Sequence, residues 1–220
     1  MSGNRIITIG REFGSGGKLI GMKLAERLGI KCYDKELLDI ASDHSGLCKE
    51  IMEHNDEKPV NSFFYSLVTD VHSGSQPFAG YMNMPLNQKV FLAQFDAIQK
   101  LADRESCVIV GRCADYALAS HDNLTSVFIS GALPDKVERV ANLYNISKDK
   151  AMDLIPKTDK KRASYYNYYS NKKWGSAASY DLCINSSAVG IEGAVDMILD
   201  FVRKKEMYAH ENKNSSAPAK

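Results

Sequence analysis

Residues 9–19 read IGREFGSGGKL, with four glycines among eleven residues. It follows a short apolar run, RIITI at 5–9, which predicts a buried strand. It leads into residues 18–28, where apolar residues recur at every fourth position and predict an amphipathic helix. Glycines between a strand and a helix allow backbone N–H groups to turn inward around an anion. The stretch therefore predicts a phosphate-binding loop, and the alternative is an ordinary glycine-rich turn.

The lysine at the start of the predicted helix strengthens the phosphate interpretation, because a lysine placed there reaches the β- and γ-phosphates of a nucleotide. Two positions depart from the common pattern GxxxxGK[ST]. Glu12 stands where the first glycine is expected, and Leu19 stands where a hydroxyl usually ligates Mg²⁺. The predicted phosphate-binding residues are Gly14, Ser15, Gly16, Gly17, Lys18 and Leu19.

Four further short apolar runs alternate with stretches of helical periodicity. The runs lie at 29–33, 106–110, 126–129 and 180–184, and the helical repeats lie at 86–103, 133–143 and 190–205. Strand–helix alternation of this kind predicts an α/β fold with a mostly parallel sheet.

The composition fits one folded domain. The chain has 220 residues, with 28 Lys and Arg against 27 Asp and Glu, so its net charge is only +1. This balance argues against a polybasic nucleic-acid binder. We expect a single domain over 1–209, interrupted by an insertion at about 54–85, and a polar, disordered tail at 210–220.

The sequence also predicts where the protein works. No apolar run approaches the roughly 20 residues that a membrane helix needs. The first residues do not resemble a secretory signal. The five cysteines are scattered and form no CxxC pair, so neither a disulfide framework nor a zinc knuckle is indicated. We therefore expect a reduced, cytoplasmic protein that has no membrane or nucleic-acid partner.

Two polar residues follow predicted strands. Arg112 comes after the run at 106–110, and ligands of parallel sheets bind beyond the carboxyl ends of strands. A guanidinium can hold a phosphate there with two hydrogen bonds, and the alternative is a surface arginine. Asp34 follows the run at 29–33 and either faces the acceptor or caps the helix that begins at Lys35.

Residues 157–173, KTDKKRASYYNYYSNKK, contain six basic residues against one acidic residue, a local charge of +5. Three interpretations compete: a solvated helix face, a single-stranded nucleic-acid site, or a lid that closes onto transferring phosphates. We expect Pro156 to interrupt the helix before this segment. Arg139 is predicted either to bind phosphate near the lid or to form an ion pair on a helix surface.

Three stretches together resemble the cytidylate kinase-like family of P-loop kinases. They begin at Ile7 (ITIGREFGSGGKLIGMKLAERLGIKCYDKELL), Cys107 (CVIVGRCADYAL) and Asp159 (DKKRASYYNYYSNKKWGSAASYDLCINSS), and they follow in order along the chain. The resemblance implies a five-stranded parallel sheet with helices on its faces and a lid at about 147–175. It also implies transfer of the γ-phosphoryl group of ATP to CMP, dCMP or a related acceptor, with Mg²⁺.

The resemblance assigns roles to several residues. Residues 14–18 match the ATP phosphate loop, and Arg112 matches the arginine that holds the acceptor phosphate. Asp159 and Arg162 keep the Asp-x-x-Arg spacing of the lid, where the acid lies near the acceptor ribose and the arginine on phosphate. The predicted catalytic residues are Lys18, Arg112 and Arg162, and the predicted acceptor contacts are Arg112, Asp34, Asp159, Arg139, Lys157 and Lys161.

One departure leaves the acceptor open. Cys113 stands where the family carries the Asp that reads the cytosine edge, and Asp115 lies two residues further on. Three alternatives to a cytidylate kinase remain: a kinase for a different small acceptor, a non-catalytic nucleotide-binding protein, and a nucleic-acid-binding module. The aromatic stretch 62–84 is either an acceptor flap or the surface of a homodimer.

Overall fold

Five parallel strands form one sheet in a computed structural model that describes residues 4–58 and 84–215. The strands are β1 (Ile6–Arg11), β2 (Lys31–Tyr33), β3 (Cys107–Val110), β4 (Leu124–Ser130) and β5 (Leu182–Asn185). Their order in the sheet is β2-β3-β1-β4-β5, and every neighbouring pair is parallel. The predicted α/β fold with a five-stranded parallel sheet is confirmed.

Eight α-helices lie within the described residues and connect the strands. They are α1 (Gly17–Leu28), α2 (Glu36–Ser45), α3 (Lys49–Asn55), α4 (Leu86–Arg104), α5 (Ala114–Ala117), α6 (Leu133–Tyr144), α7 (Lys148–Ser170) and α8 (Ser186–Ser215). A short 3₁₀ helix covers Ala177–Ser179.

Apolar side chains cover the sheet on both faces, as parallel sheets require. On one face, Ile7 and Ile9 of β1 pack with α1 and α8. On the other, Ile6 packs with α2, α3, α4 and α5. Because side chains alternate along a strand, Thr8 and Gly10 share the face of Ile6 and lie toward its carboxyl end. That end carries the polar residues described below.

The helix α7 continues through Pro156, so the predicted interruption there is wrong. Proline removes one backbone hydrogen bond and usually kinks a helix. Here Ala151 and Ile155 are buried against Val137 and Val140 of α6, and this packing holds the two helices together. Tertiary contacts have outweighed the local preference.

Two predicted segments fall partly outside the described residues. Of the insertion at 54–85, residues 59–83 lie outside, and with them nearly all of the aromatic stretch 62–84. Of the tail at 210–220, helix α8 reaches Ser215 and the last five residues lie outside.

Candidate active site

The carboxyl ends of the strands bring the predicted residues to one edge of the sheet. β1 ends at Arg11, Asp34 follows β2, and Gly111 and Arg112 follow β3. β1 lies between β3 and β4, so the loop after β1 opens beside the turn after β3. Ligands of open parallel sheets bind at this edge. The fold therefore places the predicted phosphate loop next to Arg112.

The loop after β1 leaves backbone donors free. Gly14 and Gly16 both have a φ of +82°, which favours glycine, and Gly16 caps the start of α1. A Cβ atom on Gly14 would lie 2.9 Å from the carbonyl oxygen of Lys136. Across the described residues, no hydrogen bond uses the N–H groups of Gly14, Gly16, Lys18 or Leu19. Free donors at a helix N-terminus suit a phosphate group.

Neighbouring elements hold this loop in shape. Arg139 on α6 donates to the carbonyl oxygen of Gly14, and Ser186 at the start of α8 donates to that of Ser15 at 2.6 Å. The Ser15 hydroxyl donates to the carbonyl oxygen of Glu12 at 2.8 Å. Both Ser15 and Arg139 are thus engaged with the backbone of the loop. Their role in this conformation is to fix its shape.

Asp34 connects the phosphate loop to the turn after β3. Its Oδ2 lies 2.9 Å from the Nζ of Lys18, and its carbonyl oxygen accepts a hydrogen bond of 2.6 Å from the Nη1 of Arg112. Both predicted cations therefore contact the same residue. Asp34 faces the site, as one of its two predicted roles requires, and no side-chain cap from it to α2 is present.

Arg112 lies in a tight, buried turn. Gly111, Arg112 and Cys113 have φ values of +82°, +54° and +54°, so three successive residues are left-handed. The side chain of Arg112 is 2% exposed. Its Nε and Nη2 donate to both carboxylate oxygens of Asp56 at 3.0 and 2.9 Å. A fork of this geometry also fits a phosphate.

Two more arginines complete an arginine cluster, which consists of Arg11, Arg112 and Arg162. Arg11 and Arg162 share the carboxylate of Glu57, at 2.6 Å from Arg11 Nη1 and 3.2 Å from Arg162 Nε. Arg162 also lies over the ring of Phe13, 5.5 Å from its centroid. Asp56 and Glu57, here called the acidic turn, thus cover the cluster with carboxylates.

The charges in this cluster shift the pKa of their neighbours. Burial raises the pKa of Glu57, but the positive charges of the arginine cluster outweigh burial and hold this pKa well below its usual range. For Asp34, burial again raises the pKa, and the hydrogen bond from Lys18 and the charge of Arg112 lower it below its usual value overall. Both carboxyl groups are therefore ionised near neutral pH.

Asp159 lies against the phosphate loop. Its Oδ1 accepts a hydrogen bond of 2.6 Å from the backbone N–H of Phe13, and its Oδ2 lies 3.2 Å from the Nζ of Lys136. Lys136 also pairs with Glu12 at 2.9 Å. Helix α7 is therefore fastened to the loop through Asp159, while Arg162, three residues on, points to the acidic turn.

Two other predicted acceptor contacts are not brought to the cluster. Lys157 and Lys161 are exposed on α7, and neither makes an ion pair with any residue in the described ranges. They lie on the same helix as Asp159 and Arg162. Their predicted contact with phosphate thus remains a prediction about a ligand-bound state.

The tyrosines of α7 pack in an aromatic cluster. Tyr165 and Tyr166 are buried with Phe91, Phe128 and Cys113, and the ring of Tyr169 stacks on Phe91 at 3.9 Å. These contacts account for most of the tyrosines by core packing. The tyrosines packed in this way do not form a free stacking platform for nucleic-acid bases.

Several site residues were not predicted from the sequence. Arg11 follows β1 just as Arg112 follows β3, so the same strand-end argument would have found it. Asp56 and Glu57 lie in the stretch assigned to an insertion, and no local pattern marks them. They meet the arginine cluster only through the fold.

The described residues offer no ready-made site for a resident metal. They contain no group of three or more His, Cys, Asp or Glu side chains that could hold a metal ion. Mg²⁺ in kinase sites is bound by one or two carboxylates together with substrate phosphates. Asp34, beside Lys18, is a carboxylate in a suitable place.

Comparisons with known proteins agree with this geometry. The sequence profile of the cytidylate kinase-like family matches residues 6–188. An uncharacterized protein from Eubacterium ventriosum is 34% identical, with a TM-score of 0.67, over 91% of this chain and 99% of that chain. Shikimate kinase from Bacteroides thetaiotaomicron is 15% identical, with a TM-score of 0.52, over 90% of this chain and 98% of that chain. Among curated proteins, none matches.

Within the described residues, no helix has a stretch apolar and long enough to span a bilayer. The family match, the phosphate loop and the arginine cluster together support a P-loop kinase, which is a phosphotransferase. The match covers most of the chain, and the resemblance expected from three sequence stretches is confirmed. The chain belongs to the cytidylate kinase-like family.

Proposed function

We propose that the protein transfers the γ-phosphoryl group of ATP to CMP, dCMP or a related nucleoside monophosphate. The loop at residues 14–18 holds the phosphates of ATP, with Leu19 contributing a free backbone N–H. Arg112 holds the phosphate of the acceptor. The products are ADP and a nucleoside diphosphate.

One observation carries this proposal. Asp34 contacts both Lys18 and Arg112, at 2.9 Å and 2.6 Å, so a donor site and an acceptor site meet at one residue. A phosphoryl group can pass between two phosphates only if both are held in line and in contact. Because Lys18 and Arg112 both contact Asp34, phosphates bound to them would lie close together.

The arginines perform most of the proposed chemistry. An acceptor phosphate is already an anionic nucleophile, so no general base is required. One of its oxygens forms a bond to the γ-phosphorus as the bond from that phosphorus to the β–γ bridging oxygen breaks. Arg11 and Arg162 stabilise the charge that spreads over the transferring group. Mg²⁺ bound with ATP would neutralise further charge on the phosphates.

The segment at about 147–175 acts as the lid in this proposal. Arg162 now pairs with Glu57 and would exchange that carboxylate for a phosphate when ligands bind. Closure would also bring Lys157 and Lys161 nearer to the ligand. Asp159 and Arg139, which hold the loop, would keep the lid aligned with ATP.

A second acceptor class has support of its own. The arginine cluster holds two carboxylates in this structure, and Cys113, in place of the family Asp, is buried among aromatic rings. A small hydroxylated carboxylate would satisfy the same arginines and be phosphorylated on a hydroxyl group. The shikimate kinase with the same fold carries such an acceptor in its name.

An acceptor panel tests the proposal. Purified protein with ATP and Mg²⁺ is offered CMP, dCMP, UMP, AMP, GMP and shikimate, and ADP release is followed in a coupled assay. We expect CMP or dCMP to give the highest kcat/KM. Preference for shikimate would establish the second class, and ATP binding without ADP release for any acceptor would leave a nucleotide-binding protein.

A further inference from the structure

A small cavity lies beneath the arginine cluster, on the face of the sheet that carries Thr8 and Gly10. Its walls include Thr8 of β1, Arg112, Cys113, Asp115, Tyr166 and Tyr180. Its free interior is about the size of a water molecule. The cavity is therefore lined both by the arginine cluster and by side-chain hydroxyl groups.

Two of these hydroxyl groups are buried and lack a full hydrogen bond. Within the described residues, Thr8 Oγ1 has no partner, and the Tyr180 hydroxyl has only weak contacts, with the Tyr166 hydroxyl and the Gly175 backbone N–H. The two residues are 3% and 9% exposed, so solvent does not satisfy the hydroxyl groups. A buried, unpaired polar group destabilises the folded state, and folded proteins seldom keep two in one place without a reason.

The packing beside the cavity depends on a glycine in β1. A Cβ atom on Gly10 would lie 3.0 Å from Cε1 and 3.2 Å from the hydroxyl oxygen of Tyr180. Glycine at this strand position therefore lets the Tyr180 ring lie directly on β1. The ring of Tyr166 is 5.7 Å from that of Tyr180 and inclined by 23°, which supports it from the other side.

A buried carboxylate also lines the cavity. Asp115 is buried, and its Oδ2 accepts from the Tyr166 hydroxyl at 2.7 Å and from Lys172 Nζ at 3.3 Å. Its Oδ1 accepts no hydrogen bond within the described part of the chain. Because Lys172 balances the charge of Asp115, the cavity suits a neutral group rather than a second anion.

We infer that this cavity is a specificity pocket that takes one compact, neutral hydrogen-bonding group of the acceptor, such as an amino, hydroxyl or carbonyl group, while the arginine cluster holds the acceptor's anionic group. The inference rests on the proposed function. Thr8 and Tyr180 pair with the incoming group, and Asp115 accepts from it when it is a donor. An acceptor without that group leaves the hydroxyls unpaired and binds more weakly.

Two variants separate this role from a structural one. Thr8→Val and Tyr180→Phe each remove one hydroxyl at almost constant volume. If the hydroxyls serve a ligand, their loss relieves an unpaired polar group, and Tm of the ligand-free protein stays the same or rises. Acceptor KM then increases about tenfold for each variant, with the KM for ATP unchanged. Tyr168→Phe, which removes an exposed hydroxyl on α7, is the matched control and changes neither quantity.

The competing explanation is a permanently bound water that bridges the two hydroxyls. In that case both variants lower Tm, and acceptor KM stays within twofold of wild type, which overturns the inference. The wild-type protein is assayed in parallel with ATP and CMP, and with the best acceptor of the panel. If wild type transfers phosphate but the variants keep its acceptor KM, the specificity pocket is contradicted while the proposed function stands. If wild type transfers phosphate to no acceptor, the proposed function fails and the pocket fails with it.

Discussion

The phosphate loop and the arginine cluster lie side by side and are built in opposite ways. The loop offers backbone N–H groups that no described residue occupies, and Lys18 beside them is half exposed, with 55% of its side chain accessible. The cluster offers side chains, which are buried, and its charges are already paired with the carboxylates of Asp56 and Glu57.

In the proposed function, the two ligands would therefore meet different obstacles. ATP would enter a loop whose donors are free, so its binding would require little rearrangement of charge. An anionic acceptor would enter a cluster that the chain's own acidic turn already fills. It would gain the arginines only after the carboxylates had moved away, and that displacement would lower its apparent affinity.

Lys18→Ala gives the largest expected effect. We expect kcat/KM to fall by about 10³-fold or more, because the proposed function places Lys18 on the phosphates of ATP. Stability should hardly change, since an exposed ion pair contributes about 0–1 kcal/mol. Steady-state kinetics and thermal unfolding measure the two quantities. Lys23→Ala, which removes another lysine from α1, is the control, and unchanged turnover in Lys18→Ala would sink the loop assignment.

Arg112→Met should cause a large loss of stability, whereas Lys18→Ala should not. Removing the arginine leaves the Asp56 carboxylate without its bidentate partner, which costs about 3–5 kcal/mol for a buried pair. Urea denaturation measures this loss. The double variant Arg112→Met/Asp56→Asn should recover part of it, because no unpaired charge remains. A loss below about 1 kcal/mol for the single variant would show that the pair carries little energy.

Glu57→Gln tests the acidic turn directly. The substitution keeps the shape of the side chain and removes the charge that competes with an acceptor. We expect acceptor KM to fall by about three- to tenfold, while the ligand-free protein loses stability because three arginines keep fewer counter-charges. Glu53→Gln, at an exposed position on α3, is the matched control. An unchanged or higher acceptor KM would show that Glu57 does not obstruct the site.

The smallest effect is a pH dependence of stability. The pKa of Glu57 is lower in the folded protein than in the unfolded chain, so its stabilising contribution is fully present above the unfolded value of about 4.3. That contribution declines as pH falls through the folded pKa. The stability difference between wild type and Glu57→Gln should therefore be constant from pH 5 to 8 and shrink below about pH 4. A difference that grows on acidification would contradict the assigned charge state.

The sequence predicted those parts of the molecule that depend on local pattern. All five strands appear where short apolar runs stood, and the loop at 14–18 and Arg112 lie at the predicted edge. Each of these follows from periodicity, glycine placement or the end of a strand. Arg11 could have been found by the same argument.

What the sequence did not predict depends on distant contacts. Glu57 meets Arg11 across 46 positions and Arg162 across 105, and no spacing rule relates residues so far apart. Pro156 was expected to interrupt a helix because its local preference is strong, but packing against α6 keeps the helix whole. Asp159 and Arg162 share a helix and a motif, yet they contact different parts of the site.

The hydrogen bond from the Phe13 N–H to Asp159 has a consequence for the order of events. It joins the loop proposed to hold ATP to the helix that carries Arg162. If ATP binding weakens this bond by some factor, breaking the bond strengthens ATP binding by the same factor. The bond would thus link the occupancy of the proposed ATP site to the position of this helix.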